Sequence, residues 1–317
     1  MIAANVGARG APPPAADVVR TPVVTIPGAR LGLPGTLLTL KLEFLQTSGA
    51  FKYRGALNHV AGPGRGGVVT VSSGNHGVAL ATAGRAHGVR VVVVLAPGAN
   101  PWRRARIAAL DAEVRVAPSA GEAFGVATDI AAREGLHFVH PYDSAETFAG
   151  TASLGAEFAA QAPDLDAVIV AIGGGGLAAG VAAAMRARIA DLKVYGVEPD
   201  AAPTMTAAFA TGRPVAVSLG PTVADSLAAP IAGPTAFAQC REHLAGIVTV
   251  ADSAIVAAMR ELYLALRLAV EPSAAAGLAA LAGPLREALT GRHVGLILCG
   301  ANQDPVAQCA MLREERP

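Results

Sequence analysis

Residues 168–177 read Val-Ile-Val-Ala-Ile-Gly-Gly-Gly-Gly-Leu, an apolar run that breaks into four consecutive glycines. A run without polar alternation suits a strand covered on both faces, as in a parallel sheet flanked by helices. The glycines then make a tight turn into the Ala-rich stretch that follows. Two further strand ends behave alike. Val69-Thr-Val-Ser72-Ser73-Gly74-Asn75-His76-Gly77 passes from a β-branched segment into a small-residue turn, and Leu296-Ile-Leu-Cys299-Gly300-Ala301-Asn302 does so less regularly. Ligands of open α/β sheets gather outside the carboxyl ends of the strands, so these three turns are predicted to line one cleft.

Outward from these turns, β-branched runs alternate with segments of helical length. Strands are predicted at 67–72, 89–95, 113–117, 167–172, 194–197, 246–250 and 294–299, and helices at 77–87, 101–110, 123–134, 176–190, 253–269, 274–282 and 284–289. Such alternation builds βαβ units and an α/β fold. No fixed-period repeat or low-complexity linker divides the chain. The 317 residues are 52% hydrophobic and 15% charged, which excludes a disordered chain, and a net charge of +1 gives no field for nucleic acid or an anionic membrane. Residues 167–185 lack charge, but glycine and alanine dominate them where a membrane span needs Leu, Ile and Phe. Roughly the first 15 residues, broken by Arg9 and three prolines, read as a segment without fixed structure rather than a secretory signal. Three cysteines with no CxxC pair fit a reduced, cytoplasmic protein.

The glycine loop at 173–176 lets backbone N–H groups approach a phosphate at a helix start, which suits a chain without a basic cluster. The looser dinucleotide pattern G-x-G-x-x-A is also met, by Gly174-Gly-Gly176-Leu-Ala-Ala179, with Glu198 near the place of a ribose-binding acid. An NAD-dependent oxidoreductase is therefore a rival reading. Thr47-Ser48-Gly49-Ala50-Phe51-Lys52-Tyr53-Arg54-Gly55-Ala56 sets a lysine among small and apolar residues. Read blandly, Lys52 is a solvated helix residue. Desolvated there, it would have a lowered pKa and act as an amine nucleophile towards an aldehyde.

These four motifs, in this order, resemble those of fold-type II pyridoxal-phosphate enzymes (the tryptophan synthase β-like fold), and of the serine/threonine dehydratase and serine racemase group in particular. The similarity runs from Thr21 to Asp304. It implies two open, twisted, mostly parallel sheet domains flanked by helices: a small one at 67–143, and a large cofactor-binding one formed by 16–66 and 144–317. The implied cofactor is pyridoxal 5′-phosphate, carried on Lys52, whose freed amine then acts as general base at Cα. The resemblance implies Phe51 near the ring, Asn75 towards the ring hydroxyl, Gly173, Gly174, Gly175, Gly176 and Leu177 around the phosphate, Cys299 facing the pyridine nitrogen and Glu271 beside the ring. Ser72, Ser73, Gly74, Asn75 and His76 match the loop for the substrate carboxylate, with Ser73 also a candidate second acid/base and His76 a loop-stabilising residue. Cys299 read blandly is a buried strand cysteine, and Glu271 a helix-start acid.

The implied activity is that of a carbon–nitrogen lyase: β-elimination of L-serine or L-threonine to pyruvate or 2-oxobutanoate plus ammonia. Serine racemase and 3-hydroxyaspartate dehydratase stay open on the same scaffold, as does a non-catalytic ligand-binding protein. Racemase-like members hold a cation with an acid matching Glu198 and an aspartate six residues on, where this chain has Thr204, so no metal site is expected there. Residues 140–153 lack the family's usual Gly-Gln-Gly-Thr, and Ala-Asp225-Ser226 stands in place of Ala-Asp-Gly. The length after Asn302 leaves no room for a regulatory domain, which suits an unregulated enzyme. A homodimer is expected by analogy.

Overall fold

The computed structural model describes residues 17–61 and 66–313; the N-terminal stretch predicted to lack fixed structure lies outside them. The strands are β1 (Val23–Pro27), β2 (Leu37–Lys41), β3 (Val68–Val71), β4 (Val91–Leu95), β5 (Glu113–Val116), β6 (His137–Val139), β7 (Ala167–Ala171), β8 (Lys193–Pro199), β9 (Gly246–Val250) and β10 (His293–Ile297). The helices are α1 (Lys52–Val60), α2 (Asn75–His87), α3 (Pro101–Ala108), α4 (Ala123–Glu134), α5 (Ala145–Gln161), α6 (Gly176–Arg186), α7 (Thr204–Thr211), α8 (Pro234–His243), α9 (Asp252–Leu266), α10 (Pro272–Ala282), α11 (Arg286–Leu289) and α12 (Pro305–Leu312).

The strands form two sheets, ordered β1-β2-β10-β7-β8-β9 and β5-β4-β3-β6. Every pairing is parallel except β1 with β2. Each residue of β4 and β7 is buried, as a strand covered by helices on both faces requires, whereas the edge strand β1 is largely exposed. The fold is α/β, in two domains. One apolar core surrounds the six-stranded sheet, and two further clusters cover the faces of the four-stranded one. Tyr53, Ala56, Leu57 and Val60 of α1 join the smaller sheet's core, so α1 packs against that sheet although it precedes it in the chain.

All seven predicted strands are present. The helix predicted for 253–269 stops at Leu266 because Arg267 takes the left-handed conformation (φ 61°), and the one predicted for 284–289 is reduced to Arg286–Leu289. Helix α5, absent from the sequence reading, is the element against which α1 and α6 pack. A Cβ on Gly150 of α5 would lie 2.4 Å from the Gly55 nitrogen of α1, so the two helices approach backbone to backbone.

Candidate active site

Three strand ends meet at one cavity of about 270 Å³: those of β7 and β10 from the larger sheet and of β3 from the smaller. Each of the residues singled out from the motifs borders it: Phe51, Lys52, Ser72 to His76, Gly173 to Leu177, Glu271 and Cys299.

Lys52 opens α1, and its entry is fixed by the β10 turn. Ala50 bridges Gly300, the Phe51 N–H donates to the Cys299 carbonyl (2.9 Å) and the Ala301 N–H donates to the Gly49 carbonyl (3.0 Å). Gly49 must be glycine: its φ is +77° and a Cβ would lie 2.4 Å from Asn302 Oδ1. Lys52 Nζ donates to the Pro141 carbonyl (2.7 Å) and lies 5.2 Å from the Phe51 ring centroid. Burial lowers its ammonium from an ordinary 10.5 to about 8, with a smaller opposing effect from Cys299. At mildly alkaline pH a substantial fraction is free amine.

The carbonyls of the glycine loop are taken up by protein donors. Gly174 O accepts from Gly233 N (3.0 Å), Gly175 O from Ala179 N (2.9 Å) and Gly176 O from Thr151 Oγ1 (3.0 Å). The start of α6 borders the cavity, where the N–H groups and the dipole of a helix N-terminus favour an anion. A Cβ on Gly174 would lie 2.2 Å from the Tyr142 ring, and one on Gly176 2.4 Å from the Tyr142 carbonyl. Only a side-chain-free loop fits. A phosphate-bearing aldehyde matches this pairing of an anion cradle with a desolvated amine, and Lys52 together with Gly173–Gly176 and the Leu177 amide would hold it.

Opposite these, the β3 turn is closed by Gly74 N–H donating to Ser72 Oγ (3.1 Å). His76 points back into the fold: Thr70 Oγ1 donates to Val139 O (2.8 Å), so it accepts from His76 Nε2–H (3.0 Å). Burial first, then the Lys52 charge, drops His76 well below its ordinary value, so the ring is neutral. Asn75 Nδ2 donates to Glu271 Oε1 (2.6 Å), while Asn302 Nδ2 donates to Asn75 Oδ1 (2.7 Å) and Asn302 N–H to Glu271 Oε2 (3.1 Å). Burial raises Glu271 towards its neutral form, opposed most by the Asn75 bond. Cys299 is likewise pushed up by burial and then by Glu271, so it stays a thiol. Asn302, which closes the third motif, locks the other two side chains in register.

Several lining residues had no role assigned from the sequence: Arg103, Phe124, Tyr142, Asp225 and Ser226. Arg103 of α3 makes a two-point ion pair with Asp225 and reaches Gln303 Oε1 (3.3 Å). Ser226 Oγ shares a 2.5 Å hydrogen bond with Ser273 Oγ, a contact the glycine usual at that place could not make. Glu198 is fully buried and caps α7, accepting from Met205 N (2.6 Å), Thr206 N (2.8 Å) and Thr206 Oγ1 (2.7 Å). It is spent on a helix start and has no face to offer a ribose, which removes the footing of the nicotinamide reading.

The model of the pyridoxal-phosphate dependent enzyme family matches residues 15–300. The chain belongs to that family. It is similar to a phenylserine dehydratase of Ralstonia pickettii, 43% identical over 86% of this chain and 85% of that one. Among solved structures, a threonine deaminase from T.th. matches with a TM-score of 0.85 at 35% identity, over 90% of this chain and 94% of that one. Maize serine racemase matches with a TM-score of 0.86 at 32% identity, over 92% and 91%. The enzyme uses pyridoxal phosphate and is a carbon–nitrogen lyase of the ammonia-lyase and dehydratase group. Among its described residues no helix is long and apolar enough to cross a membrane.

Proposed function

We propose that the enzyme dehydrates L-3-hydroxy amino acids with a neutral side chain, and that an aryl group on Cβ suits it better than the methyl of threonine or the hydrogen of serine. The observation that carries the elimination is Lys52, a desolvated amine near pKa 8 across the cavity from an amide-lined anion cradle. Pyridoxal phosphate bound there supplies the electron sink that makes a Cα–H bond acidic. Lys52 Nζ then removes the Cα proton, the Cβ hydroxyl leaves as water by taking up a proton from the ammonium so formed, and hydrolysis of the resulting enamine yields a 2-oxo acid and ammonia. The Ser72–Asn75 turn at the start of α2 orients the substrate carboxylate through backbone N–H groups. Ser73 borders the cavity and serves as a second acid/base. Cys299, held as a thiol beside the cavity, would not keep a pyridine nitrogen placed there protonated as a carboxylate would, and a weaker sink would favour prompt loss of the hydroxyl over transamination.

The side-chain preference rests on the cavity's outer wall. Phe124 and Tyr142 border it, and His140 links them, with ring centroids 5.8 Å from Phe124 and 4.6 Å, edge-on, from Tyr142. An aryl side chain gains area and edge-to-face contacts there. Among the described residues Arg103 is the cation bordering the cavity besides Lys52, and Asp225 already pairs with it, so a substrate β-carboxylate would meet a neutralised partner. That disfavours 3-hydroxyaspartate, and the phenylserine dehydratase at 43% identity agrees. Serine and threonine, expected from the sequence, become poorer substrates of the same reaction. The free cysteines Cys240, Cys299 and Cys309 suit a reducing compartment such as the cytoplasm.

The test is a panel of L-threo-3-phenylserine, L-threonine, L-serine and L-threo-3-hydroxyaspartate, scored for 2-oxo acid, ammonia and D-enantiomer. Phenylserine should have the highest kcat/KM. Hydroxyaspartate in first place would overturn the side-chain assignment, and a coloured, cofactor-loaded protein that releases no 2-oxo acid from any of them would overturn the lyase reading.

A further inference from the structure

We propose that His59, His137 and Glu146 form a transition-metal site of the zinc type, separate from the active-site cavity. His59 lies in the last turn of α1, His137 opens β6 and Glu146 stands in the first turn of α5. Three remote stretches of chain thus bring two imidazoles and one carboxylate together, with one donor atom of each within 4.8 Å of the others. The two imidazole rings are 5.9 Å apart and 31° from parallel. Two histidines and a glutamate select zinc and its neighbours over calcium or magnesium, and three protein ligands leave a fourth position for water.

The second shell supports the donor geometry. Ser144 Oγ donates to Thr147 Oγ1 (2.9 Å), so it accepts from His59 Nε2–H (3.1 Å). With its proton on Nε2, His59 carries its lone pair on Nδ1, and the Ser144 contact is the kind of outer-shell bond that fixes a ligand's tautomer. The same Ser144 caps α5 by accepting from Thr147 N–H (3.1 Å), so the helix turn that carries Glu146 is fixed by the residue that orients His59. Burial grades from His59, 1% exposed, through the half-buried Glu146 to the exposed His137, which gives a cation an entry side. Zinc bonds of about 2.0–2.2 Å need donors roughly 3.5 Å apart, a closure within reach of rotation about the His137 side chain. All three residues already engage neighbours, so a cation competes with those contacts and affinity is the quantity to measure.

A cation there ties α1, whose first residue is Lys52, to β6 and α5, so it stiffens the support of the active site without entering it. The probe is zinc sulfate, titrated calorimetrically into the chelator-treated, cofactor-loaded enzyme. The wild type should bind one equivalent that His137→Ala and Glu146→Gln each weaken by about 10-fold or more. Both positions are at least partly exposed, so these variants fold, and their unchanged far-UV spectra check it. Cobalt(II) should give d–d bands of a nitrogen- and oxygen-liganded site in the wild type and lose them in His137→Ala. Absence of stoichiometric zinc binding, or binding that survives both substitutions, overturns the proposal. Dehydratase activity is not the readout, so the outcome is independent of the reaction assigned above.

Discussion

Two of the enzyme's three lysines are withdrawn from the surface, Lys41 fully and Lys52 in part, and they are treated oppositely. Lys41, at the end of β2, is fully buried and saturated: Nζ donates to Thr21 O (2.6 Å), Gln161 Oε1 (2.7 Å) and Glu157, with Glu43 at 4.0 Å. Arg54 joins the same cluster, pairing with Glu43 (2.7 Å) and Glu157 (3.1 Å), so two cations balance two anions. Lys52 sits two residues before Arg54 on α1 and faces the cavity, where its hydrogen bond goes to a neutral carbonyl. Burial lowers both lysines, but carboxylates oppose it at Lys41, whereas at Lys52 the opposition is the weak one of a thiol. Burial with counter-charge makes a girder, and burial without it makes a nucleophile.

Removing the nucleophile should have the largest effect. Lys52→Ala is expected to lower kcat for phenylserine by about 10³-fold or more, since both cofactor attachment and the Cα base are lost. Borohydride reduction of the loaded wild type should fix the cofactor to the peptide containing residue 52, read by mass. Activity within tenfold of wild type in Lys52→Ala would end the distinction drawn between the two lysines.

Breaking the girder should act on stability instead. Glu157→Gln leaves a net positive charge among Lys41, Arg54 and Glu43, and an unbalanced buried charge costs about 3 kcal/mol. The denaturation midpoint should fall accordingly, while kcat of the folded fraction stays within about twofold. A large loss of kcat without loss of stability would mean the cluster belongs to the catalytic machinery.

Much of this architecture was legible because strands such as Val91–Leu95 and Ala167–Ala171 are unbroken apolar runs, and because the turns after β3, β7 and β10 carry the small residues a ligand needs. What escaped did so for physical reasons. Strands β1 and β2 are five residues each, hemmed in by Pro22, Pro27 and Pro34, which read as breakers. Helix α5 contains Gly150, Gly155 and two threonines, poor helix formers kept for the close approach to α1 and α6. Helix α1 was hidden by Gly55 in the same way. Phe124 and Arg103 belong to the site through tertiary packing alone, and nothing in their local spacing marks them, whereas Asp225 stands in a recognisable family segment. Glu198 carried two functional readings in the sequence, and only its bonds to the start of α7 reveal a cap.

A third test concerns the anion cradle. Gly174→Ala drives a methyl into the Tyr142 ring, so either the loop or the tyrosine must shift. Cofactor affinity should fall by roughly 10-fold, with kcat at saturating cofactor less affected, because the amides and not the lysine are disturbed. Unchanged affinity would show that the phosphate lies elsewhere.

The smallest effect is also the most direct measure of the contrast. In the cofactor-free enzyme Lys52 ionises at about 8 when folded against an ordinary 10.5 when unfolded. The folded state therefore binds fewer protons than the unfolded state between these values, and stability gains from rising pH across that window. Below about 8 the full cost of a desolvated ammonium is present; above 10.5 it is gone. Lys52→Met removes the group, so the cofactor-free variant should exceed wild type below pH 8 by on the order of 1 kcal/mol, discounted for the partly open cavity. The advantage should shrink steadily towards pH 10. Lys41→Met should do the reverse and destabilise at every pH, because it strands Glu157 and Glu43 with one cation between them. Denaturant midpoints of the three proteins at pH 7, 8.5 and 10 decide it: a flat difference for Lys52→Met would mean that its ammonium is solvated like any surface lysine, and the chemical contrast between the two sites would be lost.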